Sequence, residues 1–102
     1  MRAYNHKIDH NHAEIVQALK SVGALIIDTS MVGKGGPDLI CQFRKEIYLI
    51  EIKNPKTGGK LNKLQEKFHE EWAGSIYIVH SVEEALQIIG AVKYEIGEKR
   101  NG

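Results

Sequence analysis

The chain has 102 residues, of which 42% are hydrophobic and 26% charged. That is the balance of one small globular domain, and too little chain for two. A formal net charge of +1 neither demands nor excludes a nucleic-acid partner, so any basic surface must come from how the lysines are distributed. Cys41 is the only cysteine, which excludes an internal disulfide and fits a reducing cytosol. No apolar run approaches the roughly 18 residues of a membrane span, and the first residues lack the apolar core of a signal peptide. The expectation is a soluble cytoplasmic domain over residues 1–102, with 1–7 and 95–102 as loose ends.

From Ile8 to Val22 the residues Ile8, Ile15, Leu19 and Val22 fall on one helical stripe, with Val16 at its edge. Asp9 or Asn11 is placed to cap its start, and Gly23 sits where a helix C-terminus is expected. Glu14 lies about 100° round the helix from Ile15, on the shoulder of the buried face. It is either a solvated charge or a carboxylate looking over the rim into a site. Ala24–Asp28 is a short run of β-formers, and residues 29–37 form a glycine-bearing loop. Gly33-Lys34-Gly35-Gly36 lacks the glycine, lysine and Ser/Thr spacing of a phosphate-binding P-loop.

Asp38–Phe43 and Glu46–Ile52 read as two strands joined at Arg44-Lys45. With that loop Phe43 pairs with Glu46, and counting outward sets Asp38 opposite Glu51. Leu39, Cys41 and Phe43 then share a core face with Tyr48, Ile50 and Ile52, and Cys41 reads as a small buried hydrophobe. Glu51 and Lys53 project from the other face. Two carboxylates at directly opposed positions have Cβ atoms about 4.5–5.5 Å apart and repel, so a cation is expected between them.

Residues 54–60 form a basic loop. A second helix carries the apolar stripe Leu61, Leu64, Phe68 and Trp72, with Lys60, Lys63 and Lys67 beside it. Gln65 lies close to the centre of the apolar stripe, where an amide is either exposed at the rim or placed for a purpose. Ser75–Val79 is a fourth strand. Ser81-Val82-Glu83-Glu84 is a capping box opening a third helix, whose positions Val82, Ala85, Leu86, Ile89 and Val92 face the sheet. The order α-β-β-β-α-β-α predicts an α/β layer structure with a mixed sheet and a parallel crossover through the second helix.

Asp38 and Glu51 supply the carboxylates a hard divalent cation needs, and the backbone carbonyl of Ile52 is a further candidate ligand. Such a cation lowers the pKa of a bound water and stabilises charge growing on phosphorus. Lys53, on the same face, is placed to orient that water or to neutralise the phosphate. Lys34, Lys56, Lys60, Lys63 and Lys67 offer phosphate contacts on the rim, although each also reads as an ordinary solvated lysine, as do Arg44 and Lys45. His6, His10 and His12 lack the further ligands of a structural zinc site. His69 and His80 read as surface or helix-end residues.

Pro37-Asp38 followed by Glu51-Ile52-Lys53, thirteen residues on from Asp38, resembles the PD-(D/E)xK nuclease pattern. More narrowly, Gly36-Pro37-Asp38-Leu39, Ile50-Glu51-Ile52-Lys53 and a helical Gln65 resemble the VRR-NUC family. Its members are small nucleases found alone in phages and as a domain of eukaryotic DNA-repair nucleases. The resemblance covers the chain from about Glu14 to the third helix. It implies a restriction-endonuclease-like core and a Mg²⁺- or Mn²⁺-dependent phosphodiesterase acting on DNA. In that reading Asp38, Glu51 and the Ile52 carbonyl hold the metal, Glu14 is the first-helix acid that completes the site, and the catalytic set is Asp38, Glu51, Lys53 and Gln65, the family's helix glutamine.

Stand-alone members resemble Holliday-junction resolvases acting as homodimers, which makes branched or structured DNA the expected substrate. A flap or nicking nuclease is the alternative within the enzyme class. A catalytically inactive DNA-binding module of the same fold is the alternative outside it.

Overall fold

The computed structural model describes residues 10–57 and 59–91. Its elements run α1 (His10–Ser21), β1 (Leu25–Asp28), β2 (Leu39–Phe43), β3 (Glu46–Ile52), a 3-10 turn (Pro55–Thr57), α2 (Lys63–Glu71), β4 (Tyr77–Val79) and α3 (Val82–Ile88). The expected element order is observed. The four strands lie in sequence order β1-β2-β3-β4; β1, β2 and β3 are antiparallel, and β4 joins β3 in parallel.

Phe43 pairs with Glu46 and Leu39 with Ile50, which is the register expected for a two-residue loop. The loop residues have left-handed backbones, φ 52° at Arg44 and 72° at Lys45. Two consecutive residues of that kind match the right-handed twist of a hairpin and hold its register. The Arg44 guanidinium also covers the Phe43 ring at 4.9 Å. A slip by one residue would reverse every side chain on β2 and β3.

The core lies on one face of the sheet. Leu39, Cys41 and Ile50 are fully buried there, with Phe43 and Ile52 nearly so, clustered with Ile15 and Leu19 from α1, Ala85 from α3 and Ile89 at the C-cap of α3. Cys41 is the small apolar residue it was read to be, and burial pushes its thiol pKa up. Alternation sends Leu25 and Ile27 of β1 and Ile47 of β3 to the opposite face, where they are 62–69% exposed.

Several boundaries differ from those read in the sequence. α1 begins at His10 and stops at Ser21, so Val22 lies past the helix end and is exposed rather than on the buried stripe; Ile8 and Asp9 fall outside the described residues, as does Val92. Asn11 does not cap α1. It lies within the helix, and its Nδ2 donates to the Lys53 carbonyl at 3.1 Å, fastening α1 to the end of β3.

The second helix starts at Lys63 because Asn62 caps it, which leaves Leu61 outside. No residue of α2 is buried, and Leu64 and Trp72 are 60% and 45% exposed. The expected apolar stripe is therefore only partly covered, with Phe68 stacked on Trp72 at 5.5 Å. β4 is shorter than expected, at Tyr77–Val79. Ser81 caps α3 as read, but Glu84 reaches past it and accepts from the His80 backbone N–H at 2.7 Å.

Candidate metal centre

Asp38 ends the glycine-rich loop where it enters β2. The paired residues end at Leu39 and Ile50, and the Asp38 N–H donates to that same Ile50 carbonyl at 2.9 Å rather than to Glu51. This offset from the expected register still leaves Asp38 close to Glu51. Its Oδ2 accepts from the Ile52 N–H at 2.8 Å. That bond fixes the carboxylate over the end of β3 and leaves Oδ1 for another partner. Thr29 braces the same corner: its hydroxyl donates to the Pro37 carbonyl at 2.7 Å, and its N–H donates to the Asp38 carbonyl at 2.7 Å.

Glu51 projects from the face opposite the core and is nevertheless only 1% exposed. α2 covers it. The Gln65 Nε2 donates to Glu51 Oε2 at 2.8 Å, while the Gln65 Oε1 accepts from the Asn62 N–H at 2.9 Å. The Asn62 side chain returns a bond to the Gln65 N–H at 2.9 Å, closing a capping box. Gln65 thus caps its own helix with one end of the amide and holds Glu51 with the other. Both ends are committed, so the amide has one orientation.

The glycine-rich loop sits against the same helix start. A Cβ on Gly35 would overlap the Leu64 carbonyl oxygen and lie 2.6 Å from its carbon, and φ there is +81°. Glycine is what lets the loop touch the first turn of α2.

Burial, and next the charge of Asp38, raise the Glu51 carboxyl from its ordinary value to about 8. Closeness to Asp38 also favours a proton shared between the two acids, and Lys53 opposes the rise. The same Lys53 charge acts on His69, whose pKa is lowered first by burial and then by that lysine. His69 stands one helical turn beyond Gln65, and its Nε2 is 3.9 Å from Glu51 Oε1.

Asp38, Glu51 and Gln65 therefore come together, with the charge of Lys53 close by. Glu14 is exposed on α1, and among the described residues no three or more His, Cys, Asp or Glu side chains form a group that could hold a metal ion. The donor set suits a hard cation all the same. Glu51 Oε1 is buried without a hydrogen-bond partner, beside a second carboxylate that repels it. Oxygen donors of that kind are what Mg²⁺ or Mn²⁺ takes up, and Mg²⁺ keeps several waters besides.

Lys34, Lys56, Lys60, Lys63 and Lys67 are all exposed, and Lys67 pairs with Glu71 at 3.6 Å. His12 is a nearly buried partner of Asp28, Nε2 to Oδ2 3.0 Å, while His6 falls outside the described residues. His69 was not found from the sequence as a neighbour of the site. The signal was available: residues four apart share a helix face, so a Gln65 turned toward Glu51 brings His69 with it.

No family model matches the sequence, and no curated protein matches it. Among solved structures, one described as a VRR_NUC domain superposes with a TM-score of 0.60 at 21% identity, covering 79% of this chain and 96% of that one. The fold is that of a VRR_NUC domain. In this VRR_NUC fold the open end of the hairpin, where Asp38 comes close to Glu51, is held by Gln65 of α2, and the glycine-rich loop packs on the first turn of the same helix.

Proposed function

We propose that the chain is a metal-dependent DNA endonuclease that hydrolyses phosphodiester bonds in branched or structured DNA as a homodimer. The observation that carries the reading is a pair of carboxylates forced together, one of them buried under an amide clamp and raised to about 8. Such a pair is unfavourable for a structural strand end and useful to a cation site.

Asp38, Glu51 and the Ile52 carbonyl would hold the ion, with Glu14 the candidate to close the site from α1. A bound divalent ion supplies a more acidic water and offsets charge on the phosphate. Asp38 is held by the Ile52 N–H and Glu51 by Gln65, so neither carboxylate must reorganise on loading. Gln65 acts as a positioning residue. Lys53, whose charge reaches the same corner, stabilises the extra negative charge as the attacking oxygen bonds to phosphorus and the bond to the leaving sugar oxygen breaks. The water gives up a proton and the leaving oxygen takes one. Lys34, Lys56, Lys60 and Lys63 are the phosphate contacts we assign to the rim.

Lys53→Ala separates the two classes of function. Cleavage falls by at least about a hundredfold, the usual loss when a charge-stabilising group is removed, while junction binding is largely kept. Unchanged cleavage would remove Lys53 from the chemistry. A panel of four-way junction, flap, single-stranded and linear duplex DNA then sorts the substrate. Paired cuts confined to the junction support resolution of branched DNA, and cuts confined to the flap support the alternative structure-specific nuclease.

The homodimer reading draws support from the open sheet face, where Leu25, Ile27 and Ile47 are exposed together. They lie on β1 and β3, either side of Gln42 on β2, and exposed apolar residues gathered on one sheet face are an association surface in search of cover. Ile27→Lys combined with Ile47→Lys should give a folded monomer by light scattering. A variant that stays dimeric would place the interface elsewhere.

A further inference from the structure

Three buried side-chain polar atoms have no hydrogen-bond partner among the described residues: Asn11 Oδ1, Glu51 Oε1 and His69 Nε2. Two of them face each other. Glu51 Oε1 and His69 Nε2 are 3.9 Å apart, too far for a hydrogen bond. Burying one such atom costs about 1–3 kcal/mol, so two in mutual view are not incidental. The imidazole side chain is only 16% exposed, and Gln65, one turn earlier on α2, is already locked onto the other oxygen of the same carboxylate.

Two donors that each lie about 2.1 Å from one ion can be at most about 4.2 Å apart. The separation of 3.9 Å falls inside that span; Asp38, Glu51 and His69 do not already form a three-ligand group, so the imidazole must draw in on the ion as it loads. A carboxylate oxygen and an imidazole nitrogen facing each other across it form a mixed donor pair. Mg²⁺ takes oxygen, whereas divalent transition metals also accept imidazole.

We propose that His69 is a nitrogen ligand of the divalent cation held by Asp38 and Glu51, and that it biases the site toward Mn²⁺ over Mg²⁺. The proposal rests on the metal-site reading above and adds to it a donor from α2. The helix that clamps Glu51 then also contributes to the coordination sphere. The expected donors were all oxygens, three carboxylates and a backbone carbonyl; one nitrogen among them changes which ion is held best.

The test is Mn²⁺ binding to the tag-free protein, followed by titration and by pulsed electron spin-echo spectroscopy, which detects a directly bound nitrogen. The native protein should show nitrogen modulation on bound Mn²⁺. His69→Gln should abolish it and weaken Mn²⁺ binding by at least about tenfold, a loss seen even for residues one shell further out, with little change for Mg²⁺. His80→Gln, a change on the other side of the crossover, should leave the modulation intact.

Mn²⁺ that binds in an Asp38-dependent way but shows no nitrogen modulation, or modulation that survives His69→Gln, overturns the ligand role while the carboxylate site stands. Binding that is absent, or indifferent to Asp38→Asn, overturns the metal-site reading itself and this proposal with it.

Discussion

Glu51→Gln should make the metal-free protein more stable and, on the proposed function, should abolish metal-dependent cleavage. The native carboxyl is raised from 4.5 to about 8, chiefly by burial and next by Asp38. The folded protein therefore keeps a proton that the unfolded chain has already released across that interval. Stability is complete below about pH 4.5, falls as the pH rises, and levels off above about pH 8. The gap corresponds to at most about 5 kcal/mol, with Asp38 and Lys53 sharing in it.

Glutamine keeps an oxygen for the Gln65 amide and removes the charge. In EDTA at about pH 9 the variant should melt higher by roughly 10 °C or more, given about 4–8 °C per kcal/mol for a domain of this size. At about pH 4 the two proteins should melt together. A divalent cation should raise the melting temperature of the native protein and not that of the variant. Equal melting of the two proteins at high pH would mean that Glu51 is not held against its own charge.

Gly35→Ala should damage both stability and activity, because the loop and the helix that form the site meet at that residue. The left-handed backbone alone costs a residue with a side chain about 1–2 kcal/mol. The added Cβ would also drive into the Leu64 carbonyl, moving the first turn of α2 and with it Gln65. A displacement of about 1 Å at a positioned group is worth about a hundredfold in rate, and that is the expected loss of cleavage.

Gly33→Ala is the matched control. Its φ is +82°, but nothing lies within 4 Å of a Cβ there. That variant should lose only the conformational part and keep most of its activity. Equal behaviour of the two variants in thermal melts and cleavage assays would show that the loop does not seat the helix.

The central hairpin is legible in the sequence from Phe43 and Glu46 out to Leu39 and Ile50, because two independent signals agree on it. A two-residue loop fixes the pairing, and alternation gives one register with an apolar face. The same count sets Asp38 opposite Glu51, whereas the ladder stops at Leu39 and Ile50 and the Asp38 N–H turns back to the Ile50 carbonyl. The helices were less legible. Gln65 was read for its chemistry, and its part in the capping box with Asn62 was not seen; the box is what delays α2 to Lys63 and leaves Leu61 outside.

Periodicity also assigned Leu64 and Trp72 to a buried face that α2 only partly has. Hydrophobic spacing reports what a helix can bury, and here the sheet offers it little more than the end of β3 around Glu51. His69 reads from the sequence as a surface or helix-end residue because a lone histidine carries no local signal; it does lie in the last turn of α2, but it is mostly covered, and its meaning comes only from sharing a helix face with Gln65. Asn11 likewise looked like a cap, and its tie to the Lys53 carbonyl depends on where β3 ends in space.

The most direct test is cleavage of a labelled four-way junction by the native protein and by Asp38→Asn, each with Mg²⁺, Mn²⁺ or EDTA. The carboxylate-pair account predicts cutting by the native protein only when a divalent cation is present, and a loss of at least about a thousandfold in the variant, with binding retained. Cutting that persists in EDTA or in Asp38→Asn contradicts it. Binding without any metal-dependent cutting, on the junction or on the other DNA forms, would favour a DNA-binding module built on the same fold.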